Sequence, residues 1–249
     1  MKNFTPGNHR LFFLSLIACI SLCTNATAES LTLDMGNADG SFSARLIQLF
    51  LIFTVLSVAP SLVIMVTSFT RMVVVLSFLR NSIGLQQSPP NMVIVSLAMF
   101  LTMFVMAPTF EKAYNDGIAP LMAEKISEEQ ALQKSVEPFK EFMLRNVREK
   151  DLGLFLDLSK TETLEKPSDT PLKVLVPAFM IGELKRAFEI GFLIFIPFLI
   201  IDLVVAAVLM SMGMMMLPPV MISLPFKIIF FVLIDGWHLL SGSLVNSFS

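Results

Sequence analysis

Three charged side chains stand inside long apolar runs: Arg71, Asp202 and Lys227. A charge at the centre of a membrane helix costs about 2.5–3.5 kcal/mol, so such a group turns to a bundle interior, a partner or water. One outcome is a structural ion pair or, for Lys227, a stem that snorkels to an interface. The other is a polar patch beside a conduction path. Asp202 precedes Pro218 by sixteen residues and Lys227 follows Pro219 by eight. A direct pair therefore needs a kink, a long lysine reach or a neighbouring copy. Glu183, in the segment GELKRAFEIGF, is grouped with these three as a charge that serves assembly.

A second constellation is MSMGMMMLPP, residues 210–219, with Met210, Met212, Met214, Met215 and Met216 around Gly213. Methionine is unbranched and polarizable, and a cluster of it can fill an irregular space and re-pack when its neighbour changes. The two readings are apolar filler and a deformable seal lining a passage. Enzyme chemistry has no foothold. The chain holds no G-x-x-x-x-G-K-[ST] phosphate loop, no H-E-x-x-H and no G-x-S-x-G. His238, beside Trp237, has the neighbours of an interfacial residue rather than of a ligand. No enzyme activity, no cofactor and no metal are expected.

The elements that must hold these residues belong to a membrane protein. Of 249 residues 55% are hydrophobic and 15% charged, against about 25% charged in soluble domains. Mean hydropathy is +0.75. A net charge of −2 gives no basic field for nucleic acid. Lys2 and Arg10, the apolar stretch Leu11–Cys23 and the A-x-A run Ala26–Ala28 have the form of a signal peptide, predicting cleavage between Ala28 and Glu29. The competing site is a lipobox-like run ending at Cys19.

Residues 29–43 are small and polar, a flexible mature N-terminus. Residues 44–110 predict a first hydrophobic hairpin: an over-long apolar run kinked at Pro60, a polar connector with Pro89 and Pro90, and a return run ending at Pro108. Residues 111–186 hold 26 of the charged residues and predict a helical extracytoplasmic insert. Ser127 and Gln130 fit a capping box. Leu132, Val136, Phe139, Met143 and Val147 follow helical spacing, with Pro138 kinking or restarting the helix. TETLEKPSDTP, residues 161–171, is a loop by composition. A helix from Pro177 then leads into a second hairpin, residues 187–249, with Pro197 in its first arm and the pair Pro218 and Pro219 at its turn. The expected fold is all-α: two proline-broken helical hairpins, weakly repeated, with the charged insert between them. With an outside N-terminus, both connectors face the cytoplasm and the insert lies outside; Arg71 and Arg80 near the first connector fit that orientation.

The stretches TSFTRMVVVLSFLRNSIGLQQSPPN (67–91) and PAFMIGELKRAFEIGFLIFIPFLIIDLVVAAVLMSMGMMMLPPVMISLPFKIIFFVLIDGW (177–237) resemble the flagellar export-gate family FliP and its relatives in virulence-type type III secretion. SPPN and MMMLPP are the clearest signatures, and residues 29–43 and 111–165 match less distinctly. The resemblance implies a homo-oligomer of about five copies in a closed arrangement, joined by FliQ and FliR into a conical gate. FlhA and FlhB would be further partners, and unfolded flagellar subunits the cargo. It places the gate at the flagellar basal body in the bacterial inner membrane, the insert on the periplasmic side. It also implies hairpins that sit largely above the ordinary membrane plane, and it makes the five methionines a gasket. A small-solute secondary transporter is the alternative, suggested by the hairpin repeat and Asp202; an intramembrane enzyme lacks a nucleophile–base set.

Overall fold

The computed structural model describes residues 42–85, 87–159, 169–214 and 216–248. The expected signal peptide with Ala28 and Glu29, most of the mature N-terminus, Met215 and most of the 161–171 loop lie outside them. Two compact units are distinguished, 1–52 and 53–249. In the first, the described residues are helical. The helices from Phe69 onward, with the core they enclose, belong to the second.

Every regular element among the described residues is helical. The order is α1 (Phe42–Met65), α2 (Phe69–Ile83), α3 (Asn91–Ala113), a π-helical turn (Tyr114–Ile118), α4 (Ala119–Met122), α5 (Glu128–Asn146), α6 (Glu149–Leu158), α7 (Leu172–Ser211), α8 (Pro219–Leu233) and α9 (Gly236–Asn246). Two stretches, Asn91–Met122 and Leu172–Ser211, are long and apolar enough to cross a membrane, and up to four if each bent pair counts as one span. The chain is an all-α membrane protein.

The breaks do not fall at the expected prolines. Pro60, Pro108, Pro138 and Pro197 all lie inside continuous helices. A proline removes one backbone hydrogen bond, but unwinding an apolar helix around it would strand several more peptide groups, each costly away from water. The first break comes instead after Met65. There the Thr67 hydroxyl donates to the Ile64 carbonyl at 3.3 Å and accepts from the Phe69 amide at 3.4 Å. The side chain thus substitutes for helical backbone partners. The second break, a bend of 63°, lies between α8 and α9. Asp235 is left-handed there, with φ +51°. Gly236 follows because a Cβ at that position would stand 2.1 Å from the Phe231 ring.

Both hairpin connectors are built alike. After α2, Gly84 takes φ +89°, its amide donates to the Asn81 carbonyl and the Leu85 amide to that of Arg80. After α7, Gly213 takes φ +76°, its amide donates to the Met210 carbonyl and the Met214 amide to that of Leu209. Each is a Schellman cap, in which a left-handed residue turns orphan carbonyls back onto amides. In both, a proline pair begins five residues after the glycine: Gly84 with Pro89–Pro90, Gly213 with Pro218–Pro219. The repeat is thus a repeat of turn chemistry, G-x-x-x-x-P-P.

α7 carries the core. Its Leu175 and Phe179 pack with Met106 of α3 and with Phe142 and Met143 of α5. Further along α7, Ala187 and Phe198 join Met72, Val75, Leu76 and Leu79 of α2, Phe231 of α8 and Leu244 of α9. In the insert, the Gln130 amide donates to Ser127 Oγ at 3.4 Å, as the capping pattern predicts. The buried face of α5 is Ala131, Pro138, Phe142, Met143 and Asn146, while Leu132 is 68% exposed. The expected stripe is rotated because α5 packs on α3, the π-helical turn and α7 together rather than on one helix.

Candidate functional site

Arg71 and Glu183 meet at the seam between the two core clusters. On α7, Leu175, Phe179, Glu183, Ala187 and Gly191 recur at four-residue steps and are all buried, so the helix itself carries Glu183 inward. Arg71 does the same on α2, beside Met72 and Val75. Both side chains are 1% exposed or less. The guanidinium donates through Nε to Glu183 Oε2 at 2.8 Å and through Nη2 to Oε1. Its remaining face is used by the last described residues: Nη1 donates to the Ser247 carbonyl at 3.0 Å and to Ser247 Oγ at 2.8 Å, and the Phe248 ring lies 3.6 Å from the guanidinium carbon. Such forked pairing and stacking are open to arginine and not to lysine.

Asp202 and Lys227 form the second interior pair, Nζ to Oδ2 at 2.6 Å. Ser223 Oγ, one turn before Lys227, donates to Asp202 Oδ1 at 2.5 Å. Lys227 Nζ also donates to the Ser82 carbonyl at 3.3 Å, one of the orphan acceptors at the C-terminal end of α2. The pair closes within one chain and ties α7, α8 and α2 together.

That contact also places the two connectors at the same end of the molecule. A Cβ on Gly84 would stand 3.4 Å from Leu224 Cδ1, so the first connector lies beside the second turn of α8 and the methionine loop is the more outlying. At the end of α7 Met210 is 57% exposed, and in the loop Met212, Met214 and Met216 are 60%, 43% and 99% exposed. They lack cover from their own chain at the tip of a hairpin.

Sequence reasoning missed Ser82, Ser223, Ser247 and Phe248. Ser223 had a local signal, since it stands four residues before Lys227 on one helical face. The two C-terminal residues had none, because their contact with Arg71 spans most of the chain. The turn prolines flank the connectors; the Ser88–Pro89 bond is cis.

Apolar helices of membrane length, held by two interior ion pairs, define this protein's class as an all-α membrane protein. The FliP family model matches residues 52–244. The chain is 58% identical over 236 residues to flagellar biosynthetic protein FliP of Caulobacter vibrioides, covering 94% of this chain and 88% of that one. To FliP of Rhizobium meliloti it is 54% identical over 241 residues (95% and 98%), and to FliP of Bacillus subtilis 58% over 202 (81% and 91%). The chain belongs to the FliP family.

Proposed function

We infer that this chain, a membrane-associated component of the flagellar export apparatus, is one of several identical subunits that wall the central passage for unfolded flagellar proteins. Family membership supports the apparatus. The observation that carries the passage is the loop between Ser211 and Pro219, whose described methionines are exposed at a hairpin tip held by a Schellman cap. Copies brought around an axis would present these side chains to one another, and their thioethers would close the opening while yielding to chains of any sequence. The exposed apolar side chains of α3, among them Met92, Phe100, Met103 and Phe104, supply surface for lipid, for further copies and for FliQ- and FliR-like partners. FlhA and FlhB complete the proposed company. The inner membrane at the flagellar basal body, with residues 111–186 on the periplasmic side and 1–28 removed as a signal peptide, is part of the same reading. In it, Arg71, Glu183, Asp202 and Lys227 serve assembly.

The transporter reading is weaker because the carboxylate of Asp202 is occupied by Lys227 and Ser223. The test is replacement of Met210, Met212, Met214, Met215 and Met216 by alanine. The described side chains of the set are exposed and take no part in the chain's own core, so the assembly should form, and the membrane should leak small ions or dyes while some protein export persists. An alanine variant that assembles and leaves the membrane as tight as wild type removes the loop from the seal.

A further inference from the structure

α9 is set off from the rest of the chain at both ends. At its start it does not continue α8: Asp235 takes φ +51°, a region rare for residues that carry a side chain, and the axis bends by 63°. At its far end the Ser247–Phe248 turn closes on Arg71, through Nη1 to Ser247 and through the guanidinium face to the Phe248 ring. These are the atoms that the fork to Glu183 leaves free. The Phe248 ring also stacks on Phe142 at 5.9 Å.

Between hinge and turn the helix is seated on one narrow stripe, with Gly236, Leu240 and Leu244 buried at four-residue steps. Leu239, beside the stripe, is 57% exposed, and a Cβ added at Gly242 would meet no atom within 4 Å. Near the hinge a cavity of about 340 Å³ separates Gly236, Leu239 and Ser243 from Ile194 and Pro197 of α7. At the other end Ser247 and Phe248 border a second cavity, of about 480 Å³, toward α3, α5 and α7. Protein interiors are ordinarily close-packed, with few voids. An element with a thin buried stripe and open space at both ends has a low free energy of local opening.

We propose that α9 is a hinged strap, pivoting at Asp235–Gly236 and latched by the Ser247–Phe248 turn on Arg71, which lifts as a unit while α2, α7 and α8 stay packed. A hinge needs only a few residues that absorb the backbone change, and Asp235 and Gly236 stand where the helix is already broken. Lifting unseats Leu240 and Leu244 and opens the seam between the two core clusters, where Arg71 lies. The ion pair with Glu183 survives, because the latch draws on other atoms of the guanidinium. The strap follows from the geometry of α9 alone and needs neither the methionine seal nor any placement of the helices in a membrane.

The test reads thiol labelling and amide exchange on the purified, detergent-extracted protein. Leu244→Cys puts a thiol on the buried stripe of α9 and Leu76→Cys puts one in α2, at positions 1% and 2% exposed. Modification by a maleimide is followed at each site by peptide mass spectrometry. Adding Phe248→Ala should speed labelling at position 244 about tenfold, the scale of losing a desolvated cation–π contact, and leave position 76 unchanged. Ser247→Ala, which removes one acceptor and keeps the ring, should give a smaller rise at the same place. Amides of α9 should follow the thiol at position 244, and those of α8 should not respond. Equal acceleration at positions 244 and 76 means that the whole fold loosens, and overturns the strap. No acceleration at position 244 overturns it too, since the turn is then no latch. Wild type needs no variant to fold: its α9 amides should exchange faster than those of α8, and equal protection of the two helices also overturns the strap.

Discussion

Lys227 Nζ lies 2.6 Å from Asp202 Oδ2 although the two residues are unequally spaced from the proline pair that turns the chain between them. The helices, not the prolines, set their heights. Asp202 stands nine residues before Ser211, where α7 ends, and Lys227 eight after Pro219, where α8 begins. At 1.5 Å per residue those distances are about 13 and 12 Å. Residues 212–218 form the loop and add nothing to either arm.

Breaking this pair should impair assembly. Removing one partner of a buried pair costs about 3–5 kcal/mol, and the lower end applies because Asp202 is 25% exposed. Asp202→Ala and Lys227→Met should each lower the yield of assembled complex on size-exclusion chromatography, and Glu29→Ala should not. Exchanging the two residues within one chain should restore part of the yield. An exchange with no rescue would show that Ser82 and Ser223 matter more than the pair itself.

The Arg71 cluster makes a sharper demand on geometry. Arg71→Lys keeps the charge but loses the fork and the stacking on Phe248, and should destabilise the chain by about 1.5–3 kcal/mol, the range for a charged hydrogen bond. Glu183→Leu should cost more, since it strands a buried guanidinium, and the double replacement Arg71→Leu with Glu183→Leu should cost less than Glu183→Leu alone. Thermal unfolding of the purified complex measures all three. A double variant worse than Glu183→Leu would mean the pair adds net stability.

The two connector glycines should behave as equivalents. Gly84→Ala and Gly213→Ala each force a Cβ into the left-handed region, at about 1–2 kcal/mol. The melting temperature of the complex should fall by similar amounts in the two variants. Loss confined to Gly84→Ala would point to its contact with Leu224 rather than to its φ.

Leucine at the five methionine positions separates sealing from yielding. It keeps the apolar surface and is stiffer, so the membrane should stay tight while export slows. Dye leakage and secretion of flagellar proteins, measured in the same cells, check this. Export at the wild-type rate would mean that flexibility of the side chains is not what the passage requires.

Processing gives a prediction independent of the fold. N-terminal sequencing of the membrane-extracted protein should begin at Glu29, and a lipid-modified Cys19 would reverse the order of the two candidate sites.

Composition and pattern alone determined the all-α membrane class, the charge-rich stretch 111–186, the capping serine at Ser127, the two proline-paired connectors and the charges that stand inside apolar runs. Those features are local: apolar run length, turn chemistry and the cost of a charge in hydrocarbon can all be read within a few helical turns. Even Glu183 shows its inward direction in the four-residue stripe from Leu175 to Gly191. Tertiary structure decided the partners. Arg71 meets Glu183 and the Ser247–Phe248 turn only because α2, α7 and the C-terminal turn converge on one seam. Asp202 meets Lys227 only because the loop takes up the unequal spacing. Pro60 and Pro197 stay inside continuous helices, and the breaks fall at Thr67 and Asp235, for a related reason. A proline's local penalty is one hydrogen bond, and an apolar helix loses more by unwinding than by tolerating it.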